Sequence, residues 1–305
     1  MKILSDHDVV QCLEIRALIS AIETAFKAPP ETYLIPPRTM LTRGKTTILV
    51  MPCYGDGLLG VKIVVMDQQP NRGPRTVKAS YMLYDAASGK PLVMLEADAL
   101  TDLRTAATSA IATRALSRPE SKVLGIFGAG REARAHVPAI LAVRPIERVL
   151  VCASSEARSR AFAESLRTAF RISAHPAEPD ACAGAADIVC TCTTCVTPLF
   201  DGRVLRPGTH LNLVGAFRPD QREVDDETIR RSCVVVDTFQ GCREAGDLLI
   251  PQKNGIITQE HIRADLRGIL TGQAGFVRGP EDITLFKSVG FALEDFAAVI
   301  GFRPS

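Results

Sequence analysis

The spacing of apolar residues changes twice along the chain. Residues 7–28 place Leu18, Ile22 and Phe26 on one helical face, with Ser5 or Asp6 positioned to cap the start. That helix is predicted to stop at Pro29-Pro30, because proline lacks the N–H that would continue it. The pattern then becomes strand-like. Thr47–Met51, Leu59–Met66, Ala79–Asp85 and Pro91–Glu96 are rich in Val, Ile, Leu and Tyr, and residues 86–90 form a turn between the last two. Strands following one another without helices predict an antiparallel or mixed sheet. Helical spacing returns over Ala99–Leu116, where Leu100, Leu103, Ala107 and Ile111 form one stripe and Thr101, Arg104, Thr105 and Thr108 a second. The polar stripe is either a solvated face or the wall of a ligand cleft. Threonine is a costly choice for an exposed helix, which sets the cleft against the solvated face as an equal reading.

After a charged, proline-containing linker at 117–121, short apolar runs alternate with helical or loop segments. The runs are Val123–Phe127, Val149–Ala153, Ile172–Ala174, Ile188–Cys192, Leu211–Gly215 and Val234–Asp237. Such alternation predicts parallel strands joined by crossovers. Leu285–Phe296 reads as an amphipathic helix that packs back on the first part of the chain.

The first of these parallel strands runs directly into Gly128-Ala129-Gly130-Arg131-Glu132-Ala133, a GxGxxA turn at a strand-to-helix junction. Gly128 permits the tight turn, Gly130 allows backbone N–H groups to approach a pyrophosphate, and Ala133 allows close helix–strand packing. The helix N-terminus stabilises the phosphate charge. Pro138 is expected to kink this helix or end it early. Cofactor choice is read at the end of the second strand, where an NAD site places an acid for the ribose hydroxyls. Here the segment continues Ala153-Ser154-Ser155-Glu156-Ala157-Arg158. Ser154, Ser155 and Arg158 suit a 2′-phosphate, so NADP(H) is expected in preference to NAD(H). Thr191, Cys192 and Thr193 follow the fourth strand, at the sheet edge where dinucleotides lie.

Composition adds exclusions. With 36 basic and 34 acidic residues among 305, the net charge of +2 gives no electrostatic reason to expect nucleic acid or a membrane surface. No apolar stretch is long enough to span a bilayer, and Asp6 interrupts any early signal-like run. The expected location is cytoplasmic. Nine cysteines do not suggest a disulfide framework. Cys192 and Cys195 form a CxxC with no second ligand pair at zinc spacing, so no metal is expected. His136 and His210 are isolated and, like Glu244–Asp247, read as structural.

Four segments together resemble the ornithine cyclodeaminase/μ-crystallin family: residues 101–110 (TDLRTAATSA), 125–130 (GIFGAG), 215–220 (GAFRPD) and 287–290 (KSVG). The likeness spans essentially the whole chain. It implies an α/β fold with a Rossmann dinucleotide-binding domain over 119–284. It implies, too, an α+β substrate and dimerisation domain over 1–118, joined by 285–305. It also implies a homodimer paired through that first domain. Arg38 and Arg104 match substrate-carboxylate ligands, and Lys62 matches the active-site lysine. Lys62 is conspicuous by itself, a charge within the apolar run Gly60–Met66. The resemblance extends the cofactor candidates to Thr105, Arg131, Glu132, Val214, Phe217, Lys287, Ser288 and Gly290. Glu132 stands where the family has glutamine. Phe217 stands where family cyclodeaminases carry an aspartate, a departure that favours imine reduction over deamination. The expected activity is therefore NAD(P)H-dependent reduction of a cyclic imino acid, Δ1-pyrroline-2-carboxylate or its six-membered homologue, to L-proline or L-pipecolate. The alternatives are ornithine cyclodeaminase, alanine dehydrogenase and a non-catalytic small-molecule binder of the μ-crystallin type.

Overall fold

The computed structural model describes residues 1–67 and 76–301. The elements in chain order begin with β1 (Lys2–Leu4), α1 (Asp6–Cys12), α2 (Ile15–Lys27), β2 (Thr39–Arg43), β3 (Thr46–Gly55), β4 (Leu58–Asp67), β5 (Thr76–Asp85), β6 (Pro91–Glu96) and α3 (Asp98–Leu116). They continue with β7 (Val123–Phe127), α4 (Arg131–Leu141), β8 (Arg148–Cys152), α5 (Glu156–Phe170), β9 (Ser173–Pro176), α6 (Pro179–Ala185), β10 (Ile188–Thr191) and β11 (His210–Leu213). The last are α7 (Asp226–Arg231), β12 (Ser232–Val236), α8 (Phe239–Cys242), α9 (Gly246–Lys253), β13 (Ile262–Asp265), α10 (Leu266–Thr271), β14 (Ile283–Lys287) and α11 (Ala292–Ile300). No helix among the described residues is long and apolar enough to cross a membrane.

The described residues divide into two compact units, residues 1–104 with 291–301, and Thr105–Gly290. The first holds a six-stranded mixed sheet in the order β1-β6-β5-β4-β3-β2, with β1 parallel to β6 and every other pairing antiparallel. Because successive strand residues face opposite sides, one cross-strand row of Met51, Lys62, Tyr81, Leu95 and Leu4 lies on the buried face. Helix α2 buries Leu18, Ile19, Ile22, Ala25 and Phe26, and α11 packs against α2, β3 and β4. Phe26 meets Phe291 at 6.2 Å between ring centroids, and Tyr33 meets Phe296 edge-on at 5.9 Å.

The single helix expected over 7–28 is two helices. Ser5 closes a capping box with Asp8 at the start of α1, and Leu13 is extended at its end. Glu14 then caps α2 through its own carboxylate, accepting from the Arg16 and Ala17 N–H groups at 2.9 and 2.7 Å. A glutamate so placed reads as an ordinary helix former in the sequence and hides the break.

The second unit holds an all-parallel eight-stranded sheet in the order β13-β12-β14-β11-β10-β7-β8-β9. Strand order reverses between β7 and β10, and ligands of such sheets bind at the carboxyl ends of the strands beside this switch point. The segment Leu285–Phe296, read as one helix, is instead the end of β14 and the start of α11. All five residues of β14 are buried between β11 and β12, and a short buried apolar run does not declare its period. Gly290, at φ +85°, turns the chain out of the strand.

The expected domain limits at 118 and 285 also move. Residues 105–116 of α3 are held by the second unit: Asn212 Nδ2 donates to Thr113 Oγ1 at 2.9 Å, Ser109 Oγ meets His136 Nε2 at 3.0 Å, and Thr284 Oγ1 donates to the Leu116 carbonyl at 2.9 Å. The threonine stripe is therefore not solvated; Arg104, Thr105 and Thr108 are all buried. Helix α4 runs three residues past Pro138 to Leu141, so the proline does not stop it there.

Candidate functional site

In the first unit, four charged side chains meet under the sheet. Lys62 Nζ lies 2.8 Å from Asp295 Oδ1, and Arg104 Nε lies 3.1 Å from the same oxygen. Arg104 Nη1 lies 2.6 Å from Glu294 Oε2. All four residues are buried, two cations against two carboxylates, so the cluster is close to neutral. Charges removed from water require such pairing. Burial, together with Arg104 alongside, brings Lys62 down to about 8, against the opposing pull of Asp295 and Glu294. Tyr81 is directly opposite Lys62 on β5. Burial and nearby Asp295 hold its phenol well above the ordinary value, and burial pushes the Cys53 thiol up to about 12. Tyr81 Oη and Asp295 Oδ2 have no hydrogen-bond partner among the described residues. Buried polar atoms of this kind mark places where water or a ligand completes the network. Gly60 makes the arrangement possible, since a Cβ there would stand 1.8 Å from Tyr81 Oη.

Arg38 is half-buried and precedes β2. Continuing the register one step past the Thr39–Val50 pair sets it level with Met51 and Lys62. Two strand spacings separate that row position from Lys62, about 10 Å.

In the second unit, β7 delivers the chain to Gly128, whose φ of +108° favours glycine. A Cβ at Gly128 would lie 2.6 Å from the Cys192 carbonyl, so the loop after β10 also demands its absence. Gly130 occupies the N-cap of α4 with no side-chain cap, and a Cβ there would meet nothing within 4 Å. Open space before an uncapped helix start fits an anionic diphosphate. Ala129 is half-buried, Arg131 is exposed and Glu132 half-buried in the first turn, and Ala133 is fully buried against the sheet. At the end of β8, Ser154, Ser155 and Arg158 are exposed. Ser155 caps α5 and accepts from the Arg158 N–H at 3.3 Å, while Arg158 Nη1 reaches Ser154 Oγ at 3.4 Å.

The remaining candidates sit at the ends of β10, β11 and β14, where three buried acids tie the loops together. Glu223 accepts from Thr191 Oγ1 (2.7 Å), Thr193 N and Oγ1 (2.9 and 2.7 Å), Gly215 N (2.8 Å) and Ala216 N (3.3 Å). Asp247 Oδ1 accepts from Glu223 N at 2.7 Å, and its Oδ2 pairs with Lys287 Nζ at 2.9 Å. Burial draws the Lys287 ammonium down, but Asp247 and Glu223 outweigh it and leave the group raised. Asp237 Oδ2 accepts from Ser288 Oγ, Val289 N and Gly290 N at 2.9, 2.7 and 2.9 Å. The side chains of Thr191, Thr193, Lys287 and Ser288 are thus engaged within the protein, and what these loops present outward is their shape and backbone. Cys192, Val214 and Phe217 are half-buried, and Thr105 is buried on α3.

Sequence reasoning missed Glu223, Asp237, Glu294, Asp295 and Tyr81. Only the adjacent pair Glu294-Asp295 left a trace, as two acids inside an otherwise apolar helix whose residues 292–299 are all buried. His136 and His210 are buried and hydrogen-bonded, and burial brings them down to about 4 and about 3. No group of three His, Cys, Asp or Glu among the described residues is placed to hold a metal.

Known proteins resemble this chain over most of its length. A Δ1-pyrroline-2-carboxylate reductase of Bacillus cereus is 38% identical over 257 residues, covering 82% of this chain and 79% of the relative. The structure of Thermococcus litoralis Δ1-pyrroline-2-carboxylate reductase in complex with NADH and L-proline superposes with a TM-score of 0.93 at 35% identity, covering 99% and 96% of the two chains. An archaeal alanine dehydrogenase dimer with bound NAD gives a TM-score of 0.93 at 27% identity, covering 99% and 94%. The ornithine cyclodeaminase/mu-crystallin family model matches residues 1–302. The chain belongs to the ornithine cyclodeaminase/mu-crystallin family.

Proposed function

We propose that this protein reduces a cyclic imino acid, with Δ1-pyrroline-2-carboxylate as the leading substrate and L-proline as product. The observation that carries the reading is the buried Lys62–Arg104 pair framed by Asp295 and Glu294, in a chain related to reductases of this imine. An α-imino acid brings a carboxylate and a basic nitrogen. Arg104, held by two carboxylates, is a preorganised donor for the substrate carboxylate, and Arg38 is its second ligand. Lys62 donates a proton to the ring nitrogen, which makes C2 electrophilic. The reduced nicotinamide, when bound, supplies the hydride that C2 accepts. Gly128 and Gly130 with the start of α4 would hold its diphosphate. Phe217 provides no acid to handle a released amine, which favours reduction over deamination.

The test is oxidation of NADPH and NADH in the presence of Δ1-pyrroline-2-carboxylate, its six-membered homologue, or pyruvate with ammonia. Ornithine deamination is assayed alongside. Consumption with the cyclic imines is expected; ammonia release from ornithine without net cofactor turnover would replace this reading with the cyclodeaminase.

We further propose a preference for NADP(H). No acid stands at the end of β8, and Arg158 with Ser154 and Ser155 is disposed for a 2′-phosphate. Arg158→Ala is expected to raise KM for NADPH about tenfold while leaving that for NADH unchanged. Equal effects on both cofactors would remove the assignment.

The outer face of the first sheet supports a homodimer. Ile3, Met94, Met82, Val61 and Pro52 form one outward cross-strand row, and Ile63 and Val65 continue the apolar surface along β4. An exposed apolar surface of this extent is typical of an association site. Val61→Asp is expected to halve the mass in light scattering, because pairing would bury an unpartnered charge. A dimer that survives this substitution pairs elsewhere.

A further inference from the structure

We propose that Asp295 is a positioning residue for the reduction: its Oδ1, shared by Lys62 and Arg104, fixes the ammonium beside the guanidinium and stabilises its charged form for proton donation. The inference rests on the function proposed above and adds a residue that acts through Lys62 rather than on the substrate. Two like charges set side by side repel, and burial removes the water that would screen them. Asp295 is bonded to both, at 2.8 and 3.1 Å. Its own placement is expensive, a carboxylate fully buried on a helix of apolar neighbours, and such burial persists only where the charge is paired.

The groups facing Lys62 are Asp295 and Glu294 from α11, Arg104 from α3, Tyr81 from β5 and, further along the buried face, Cys53 from β3. Burial keeps Tyr81 and Cys53 neutral near pH 7. The protonation of Lys62 is therefore decided by burial and Arg104 on one side and the two carboxylates on the other. Their balance leaves it at about 8, close to where a general acid works best near neutral pH.

An N–H bond of the Lys62 ammonium breaks and its proton forms an N–H bond on the substrate ring nitrogen. C2 would then receive a hydride, two electrons and one hydrogen, which a bound reduced nicotinamide would supply at the cost of its own oxidation. Lys62 is left neutral against the Asp295 carboxylate, a state that draws a proton back from solvent.

The experiment measures kcat/KM for imine reduction against pH in the wild type, Asp295→Asn and Asp295→Glu, with thermal denaturation as a check of folding. In parallel, the Lys62 side chain is titrated by NMR in protein carrying 13C-labelled lysine, its resonance assigned from Lys62→Met. The wild type is expected to lose activity as pH rises through about 8, where the ammonium deprotonates. In Asp295→Asn the alkaline limb and the NMR midpoint should both move down by about one pH unit or more, a loss of about fivefold or more in rate near pH 8. That loss should appear in kcat more than in KM, and Asp295→Glu should recover part of it. A folded Asp295→Asn protein whose limb and NMR midpoint coincide with the wild type overturns the proposal. Should Asp295→Asn not fold, Lys62→Met and Lys62→Met/Asp295→Asn are compared. Equal kcat supports action through Lys62, and a further loss in the double variant overturns it. Absence of imine reduction in the wild type would instead sink the functional reading, while the NMR titration would still report on Asp295.

Discussion

Lys62→Met is expected to lower kcat/KM for Δ1-pyrroline-2-carboxylate by about 10²–10⁴-fold, the usual contribution of a positioned general acid. Methionine matches lysine in length and suits the apolar strand, so the substitution removes the proton donor with little change of volume. Its structural cost is tempered by Arg104, which remains 3.1 Å from Asp295 Oδ1 and keeps that carboxylate paired. Breaking a buried pair outright costs about 3–5 kcal/mol, and the retained guanidinium should keep the loss toward the low end. Cofactor affinity should change little, because the proposed diphosphate and ribose contacts are made at Gly128, Gly130 and the end of β8 rather than by Lys62. Steady-state kinetics with saturating NADPH, accompanied by cofactor titration through nicotinamide fluorescence, separates these effects. Wild-type kcat/KM in the variant would exclude Lys62 as the acid.

Glu223→Ala is expected to have the largest effect on stability. One carboxylate accepts five donors from two loops, at Thr191, Thr193, Gly215 and Ala216. Alanine leaves those donors facing one another with no acceptor, and also exposes Lys287 and Asp247 to a changed neighbourhood. Loss of a buried hub of this kind costs about 3–5 kcal/mol. For a unit of this size each kcal/mol lowers Tm by about 2–4 °C, so a fall of roughly 6–20 °C is expected. The loops it ties stand at the carboxyl ends of β10 and β11, so KM for the cofactor should rise as well. Circular dichroism melting and cofactor titration check both. A melting point within a degree or two of the wild type would show that water or rearranged side chains replace the carboxylate.

Local chemistry made part of this legible. The turn at Gly128 and the start of α4 are adjacent in sequence, so the glycines announced both the bend and the anion site. Lys62 stood out because a charge within an apolar run contradicts its neighbours. What remained hidden depended on distance along the chain. Lys62 and Asp295 are 233 residues apart, and nothing in either segment names the other. Glu223 lies in a loop that reads as ordinary polar surface, yet it is fully buried because two strand ends fold over it. Residues 283–287 illustrate a different limit: five buried residues in a row carry no period, and only their place between β11 and β12 makes them a strand. The division of α3 between the two units was invisible for the same reason, since a continuous helical pattern does not record what each half touches.

The strand β4 carries two unrelated tasks on alternate residues. Gly60, Lys62, Val64 and Met66 point inward, while Val61, Ile63 and Val65 point outward. A single-residue insertion or deletion at the start of this strand would exchange the positions that follow between the two faces. The ammonium would arrive on the apolar outer surface, and a valine would be thrust among the buried carboxylates. Substitutions along β4 can be absorbed one face at a time, but a change of length strikes both faces together. Related chains should therefore differ in the apolar residues of this strand while holding Gly60, Lys62 and its residue count constant.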